Sequence, residues 1–160
     1  MAACLLMATL SVCAQTHEKD SLRVINLQEV EVISTRATGT TPVAFTNVSK
    51  EQLKKQNFGQ DLPYLLSMIP SAITTSDAGA GIGYTTLRIR GTDGTRINVT
   101  ANGIPINDAE SHTVFWVNLP DFASSVKDLQ VQRGAGTSTN GAGAFGGSIN
   151  MQTGDFSLKP

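Results

Sequence analysis

Leu129 and Val131 alternate with Asp128, Gln130 and Gln132 inside the run from Val126 to Arg133. A period of two marks a strand with one face buried, so the pattern predicts Leu129 and Val131 inward and Asp128, Gln130 and Gln132 outward. The same period recurs at Leu87-Arg88-Ile89-Arg90, at Ile97, Val99 and Ala101, and at residues 148–153. Residues 43–48 and 72–76 are further short strand candidates, and residues 27–34 alternate polar and β-branched positions as an extended segment. Asn102-Gly103 separates two apolar runs, which predicts a tight hairpin with Ile104 and Ile106 on its return arm.

The helical signals are shorter. Ser49-Lys50-Glu51-Gln52 has the spacing of a capping box, so a helix begins at Lys50 and ends near Asn57-Phe58-Gly59. Asp61-Leu62-Pro63 opens a second helix through Met68, with Pro63 tolerated in the first turn and Pro70 beyond the end. Leu62, Leu65, Leu66 and Ile69 recur at helical spacing and face the core. Residues 120–124 read as a helical turn. Residues 77–84 and 134–147 are Gly-rich loops, and residues 107–118 form a polar loop carrying Phe115 and Trp116. The expected fold is α+β: a small four- to five-stranded mixed sheet with two or three short helices.

Charge narrows the function classes. The 160 residues carry a formal net charge of −1, so no basic stripe exists to neutralise phosphates and no nucleic-acid partner is expected. Leu5 to Val12 is a short uncharged apolar run followed by Cys13-Ala14-Gln15. It is too short to span a membrane and reads as a signal peptide of residues 1–14, cut after Ala14. No Lys or Arg precedes the run, so a true start upstream of Met1 is expected. Cys4 and Cys13 both lie in that segment, so the mature chain is expected to hold no disulfide and no thiolate zinc site. Val12 stands where a lipoprotein signal needs a small residue, which argues against lipidation at Cys13.

Catalytic and cofactor chemistry find little support. Gly141-Ala142-Gly143-Ala144-Phe145-Gly146 matches G-x-G-x-x-G literally. A dinucleotide site needs a strand before it and a helix opening at it, whereas a strand-like segment follows here. His17 and His112 are the only histidines, too separated for a metal cluster. Glu110-Ser111-His112 lies in a loop, where adjacent residues rarely face one another. No catalytic residue, metal or cofactor is expected.

Three stretches together resemble the plug domain of TonB-dependent outer-membrane receptors. The first is Leu87-Arg88-Ile89-Arg90-Gly91 followed by Ile97-Asn98-Val99-Thr100-Ala101-Asn102-Gly103-Ile104-Pro105-Ile106. The family usually has Asp-Gly where this chain has Asn-Gly, and Asn also tolerates positive φ. The second is Val126-Lys127-Asp128-Leu129-Gln130-Val131-Gln132-Arg133-Gly134, with Gln130 in place of the family's usual Glu. The third runs from Ser138 to Asn150 and is similar to Tyr-Gly-x-x-Ala-x-Gly-Gly-x-Ile-Asn, with Asn140 where Tyr is common. Upstream, Glu29-Val30-Glu31-Val32-Ile33-Ser34 is similar to a TonB box.

The resemblance implies the rest. Residues 15–42 are a flexible leader with the box-like segment at 28–34. Residues 43–147 are the plug, and residues 148–160 begin the exit into a first barrel strand. Glu29, Val30, Glu31, Val32, Ile33 and Ser34 would bind TonB, with its inner-membrane motor, as an added strand; without the resemblance they read as an edge strand or leader. Gly81, Tyr84, Asp108, Glu110, His112 and Trp116 lie on the loops expected to face a solute such as an iron chelate, cobalamin or a glycan. Phe115 and Trp116 packing beneath their loop is the other reading. Arg88, Arg90 and Arg133, with Arg96, would meet acids on the wall of the protein's own barrel, or else sit on solvated strand faces. The plug carries no chemistry, sits in the bacterial outer membrane and has its N-terminus in the periplasm. Membrane strands need about 9–11 residues each, so transport requires a barrel that these residues do not supply. The rival reading is a barrel-less periplasmic TonB-binding or signalling module.

Overall fold

In the computed structural model, which describes residues 36–136, 138–141 and 143–154, every strand belongs to one of two sheets. The signal-like segment and Glu29–Ser34 lie outside the described residues. The larger sheet holds β1 (Ala44–Ser49), β4 (Ile97–Ala101), β5 (Ile104–Pro105), β6 (Val126–Arg133) and β7 (Gly147–Thr153) in the order β1-β6-β7-β4-β5. Only β4 and β7 run parallel; the other neighbours are antiparallel. The smaller sheet is the hairpin of β2 (Ala72–Ser76) and β3 (Thr85–Ile89). The architecture is the expected mixed α+β fold, with the β2–β3 pair as a separate sheet.

Local chemistry sets the helices. Ser49 caps α1 (Lys50–Gln56) by the expected reciprocal pair: its Oγ accepts from the Gln52 N–H, and its own N–H donates to Gln52 Oε1 at 2.9 Å. Lys54 and Lys55 sit in the last turn, where cations favour the negative end of the dipole. Leu53 is the one residue this helix buries. α2 (Leu62–Leu65) has Pro63 in its first turn and tightens into a 3-10 turn at Leu66–Met68. Leu62, Leu65, Leu66 and Ile69 are all buried, as their spacing predicts.

These elements cover one face of the large sheet. Leu129, Val131, Ile149 and Met151 lie opposite one another in register on β6 and β7. Ile97 and Val99 extend the patch onto β4, and Leu53, Leu62, Leu66, Leu87, Ile89 and Trp116 complete the core.

The other face corrects the first strand reading. Gln130 and Gln132, expected to point outward into solvent, are each only 2% exposed. β6 is paired along both edges, and side chains on both of its faces are buried. Register places Gln130 beside Asn150 and Asn47, and Gln132 beside Ser148. The face is therefore polar and buried at once, and its side chains bond to one another. Asn140 Nδ2 donates to Gln132 Oε1 at 2.8 Å, Gln132 Nε2 to Gln130 Oε1 at 3.0 Å, and Gln130 Nε2 to Asn47 Oδ1 at 2.8 Å. Thr100 Oγ1 donates to Asn150 Oδ1 at 2.8 Å. The run at 148–153 lies in β7, between β6 and β4. Its alternation is that of an interior strand with one apolar and one amide face.

The Asn102-Gly103 turn forms as predicted, with φ of 51° and 80°. Asn102 also fastens the hairpin to β7. Its backbone N–H donates to Met151 O, its Nδ2 donates to Thr153 Oγ1, and its Oδ1 accepts from the Thr153 N–H, each at 2.9 Å. Pro105 stands on the free edge of β5, where a missing N–H discourages further pairing.

Two substitutions separate these contributions in a urea unfolding titration. Leu129→Ala, at a fully buried position, is expected to cost about 2–5 kcal/mol. Asn102→Ala is expected to cost about 1–3 kcal/mol through the lost bonds and the positive φ, whereas Asn102→Asp keeps both the turn and the acceptor and costs less than Asn102→Ala.

Candidate ligand and partner surfaces

A cleft of about 410 Å³ opens between β3 and residues 113–117. Leu87, Ile97, Val99 and Trp116 line its interior, and all four belong to the core. Tyr84 and Arg88 lie at its rim, both exposed. Asp93 and Thr95 lie at its far end, where the Thr95 hydroxyl bonds to Asp93 Oδ1 and holds that carboxyl below its usual range. An apolar cleft with a few polar groups at its edge suits non-covalent capture of a group with an apolar body.

The expected solute-facing residues are divided among three places. Tyr84 is exposed on the cleft rim, but Trp116 is 5% exposed. As the chain enters the 3-10 turn at Trp116–Asn118, Val114 and Trp116 are buried and Phe115 and Val117 are exposed. Trp116 is therefore core, and Phe115, 47% exposed, is the aromatic offered to the surface. Four consecutive apolar residues, Val114 to Val117, carry no period that could have shown this in the sequence. Gly81 is also buried rather than displayed. A Cβ there would stand 2.6 Å from the Tyr64 ring, so this close approach requires glycine.

Asp108, Glu110 and His112 do come together, in one turn. Asp108 Oδ2 accepts from the N–H groups of Ser111 and Glu110, at 2.7 and 3.1 Å, and from the Ser111 hydroxyl at 2.8 Å. The Ser111 amide above all, then its hydroxyl, holds the Asp108 carboxyl below its usual range. The His112 N–H donates to Asp108 O, and Asn107 Nδ2 donates to His112 O, which fixes His112 at a φ of 56° with its ring exposed. Asn107 in turn bonds Ile97 O and the Val99 N–H, tying the turn to β4. Ser111 is thus engaged by Asp108. Among the described residues no group of three or more His, Cys, Asp or Glu is placed to hold a metal. The G-x-G-x-x-G stretch leads into β7 and not into a helix.

The arginines differ from one another. Arg88 is exposed on β3. Arg90 adopts a φ of 52°, rare for a non-glycine residue, within a tight turn where Ile89 and Thr92 pair. Its guanidinium lies over Gly134, close enough that a Cβ there would be 2.6 Å from Nη1. Arg133 Nη1 donates to Pro70 O at 3.3 Å. Arg133 is half-buried and bonded to this chain's own backbone, whereas Arg88, Arg90 and Arg96 are exposed, Arg90 with its guanidinium beside Gly134.

Comparison with known proteins agrees with this geometry. The family described as TonB-dependent Receptor Plug Domain matches residues 37–148. No curated protein matches the chain. Solved structures share the fold. The siderophore receptor PirA from Acinetobacter baumannii is 24% identical with a TM-score of 0.56, over 69% of this chain and 17% of that one. A variant of the ferric enterobactin receptor PfeA from Pseudomonas aeruginosa is 22% identical with a TM-score of 0.55, over 72% and 18%. The ferric yersiniabactin uptake receptor FyuA from Yersinia pestis is 19% identical with a TM-score of 0.50, over 71% and 17%. The chain thus spans less than a fifth of the length of these receptors.

The Asp108 turn gives a pH prediction. A carboxyl depressed on folding stabilises the turn above its unfolded value and loses that contribution as pH falls through the lower, folded value. The Ser111 and Glu110 amide resonances are expected to titrate with a midpoint below the ordinary 3.8 of aspartate. Asp108→Ala should abolish the titration, and a midpoint above 3.8 would contradict the bonding described.

Proposed function

Because the chain belongs to the family of TonB-dependent receptor plug domains, we propose that it gates the energy-dependent uptake of a scarce solute across the bacterial outer membrane. The family match over residues 37–148 is the observation that carries this reading. The fold supports it: the domain pairs an apolar core with a buried amide face, and small residues allow close backbone packing around that face. In this reading the domain fills the lumen of its own barrel, with the leader in the periplasm.

Among iron chelates, cobalamin and glycans, an iron chelate has the most support. Structures that share the fold are named as receptors for siderophores, ferric enterobactin and ferric yersiniabactin. The cleft rim at Tyr84 and Arg88, exposed Phe115, and the Asp108–His112 turn are the surfaces offered to the solute or to the barrel mouth. The exposed arginines Arg88, Arg90 and Arg96 are the ones free to meet acids on the barrel wall, since Arg133 is half-buried and bonded to Pro70 O. The domain performs no bond-making chemistry. It binds, blocks and yields, and Glu29 to Ser34 pair with TonB as an added strand that transmits the motor's force.

Deletion of residues 29–34 from the full-length receptor tests the reading. Uptake of a labelled ferric chelate is expected to fall to the level seen in cells lacking TonB, with solute binding at the cell surface retained. Uptake that persists at the level of the intact receptor would overturn it.

A further inference from the structure

Ala37 is fastened to the domain through one side chain. Its N–H donates to Gln130 Oε1 at 2.7 Å, and its carbonyl accepts from Gln130 Nε2 at 2.9 Å. A carboxamide thus replaces the backbone of a neighbouring strand. Gln130 also donates to Asn47 Oδ1 and accepts from Gln132 Nε2, so its whole hydrogen-bonding capacity is used. This explains glutamine at 130: a carboxylate has no proton for the Ala37 carbonyl or for Asn47. One residue upstream, Arg36 pairs with Asp128. Downstream, Thr38 to Thr41 bond chiefly to one another. Only at β1 does the chain acquire a ladder, running from Ala44 opposite Arg133 to Ser49 opposite Asp128.

Two attachments of different kind therefore stand in series. Tension entering from upstream of Arg36 reaches Arg36 and Ala37 before β1. What they cover is Gln130 and, bonded to it, Gln132 and Asn47, with Asn150 alongside in register. Water can take over hydrogen bonds to such groups at a small net cost. Uncovering the opposite, apolar face would cost about 25 cal/mol for each Å² exposed.

We propose that residues 36–42 are a peelable cover latched by the Gln130 carboxamide, whose removal wets the amide face while the five-stranded sheet stays folded. The inference deepens the transport reading and rests on it only for the source of the force. Gln130 is a positioning residue in this device: it sets the tension at which the cover leaves.

Single-molecule pulling on the natural full-length polypeptide in its membrane, through a handle fixed upstream of Arg36, tests the proposal. The first step is expected to release roughly seven residues, about 25 Å of extended chain, before any rupture of β1. Gln130→Glu keeps the volume and removes the donors; it should lower the force of that step. Ala37→Pro removes the other donor without altering a sheet side chain, and decides the matter if the first variant fails to fold. Without tension, peptide-level hydrogen exchange around Ala37 should rise on the order of tenfold in Gln130→Glu, and the neighbouring amides of residues 36–42 should exchange faster in Ala37→Pro as well. A first step that already includes β1, about 50 Å of chain, or an unchanged first step in Ala37→Pro, would overturn the latch. The handle stands in for the motor, so these outcomes are independent of the box-deletion assay. Uptake that survives loss of the box sinks the transport reading alone.

Discussion

β6 and β7 occupy the interior of the large sheet, and most of the structure follows from the need to cover them on both sides. One side presents Leu129, Val131, Ile149 and Met151, which the helices and the β2–β3 hairpin bury. The other presents Gln130, Gln132, Ser148 and Asn150. Buried amides must find partners or incur a desolvation cost of about 1–3 kcal/mol each. They find them in one another, in Asn47, Thr100 and Asn140, and in the backbone of Ala37.

That requirement explains the composition of the loop before β7. Asn140 must reach Gln132, and the loop must lie flat on the sheet for it to do so. At Gly136 a Cβ would stand 2.1 Å from Asn140 Nδ2, and at Gly147 2.6 Å from the carbonyl of Gln132. Glycine is needed here for close approach. A literal G-x-G-x-x-G arises from the same need and leads into a strand, which removes the helix N-terminus that a phosphate site depends on.

The same division links fold to function. The apolar face is expensive to expose and holds the domain together. The amide face is cheap to expose and is covered by the part of the chain nearest the leader. The proposed gate, opening under tension and closing again, would be served by a domain with one strong face and one wettable face. The surfaces offered outward are built on the strong side. The cleft beside β3 shares its floor with the core, so its shape is as rigid as the core, while the Asp108 turn is tied to β4 through Asn107.

Much of the fold was legible in the sequence because the signals were local. The capping box at Ser49 and Gln52, the helical spacing of Leu62, Leu65, Leu66 and Ile69, and the positive-φ turn at Asn102-Gly103 each depend on residues within a few positions. The plug-like motifs were legible for the same reason, being short runs of fixed spacing. Other features depend on partners far along the chain. Alternation shows that Gln130 and Leu129 point opposite ways, but not that both directions are buried; that is decided by Ala37 and Asn47, more than 80 positions away. Aromatic content marked the loop at 113–117, but which ring faces out was decided by packing against β3 and β4. The run 148–153 alternates as any strand would, and only its parallel partner β4 made it the centre of the domain. The sequence by itself determined the elements and their family. Tertiary structure decided which faces are covered and by what, because burial is a property of the partner as much as of the residue.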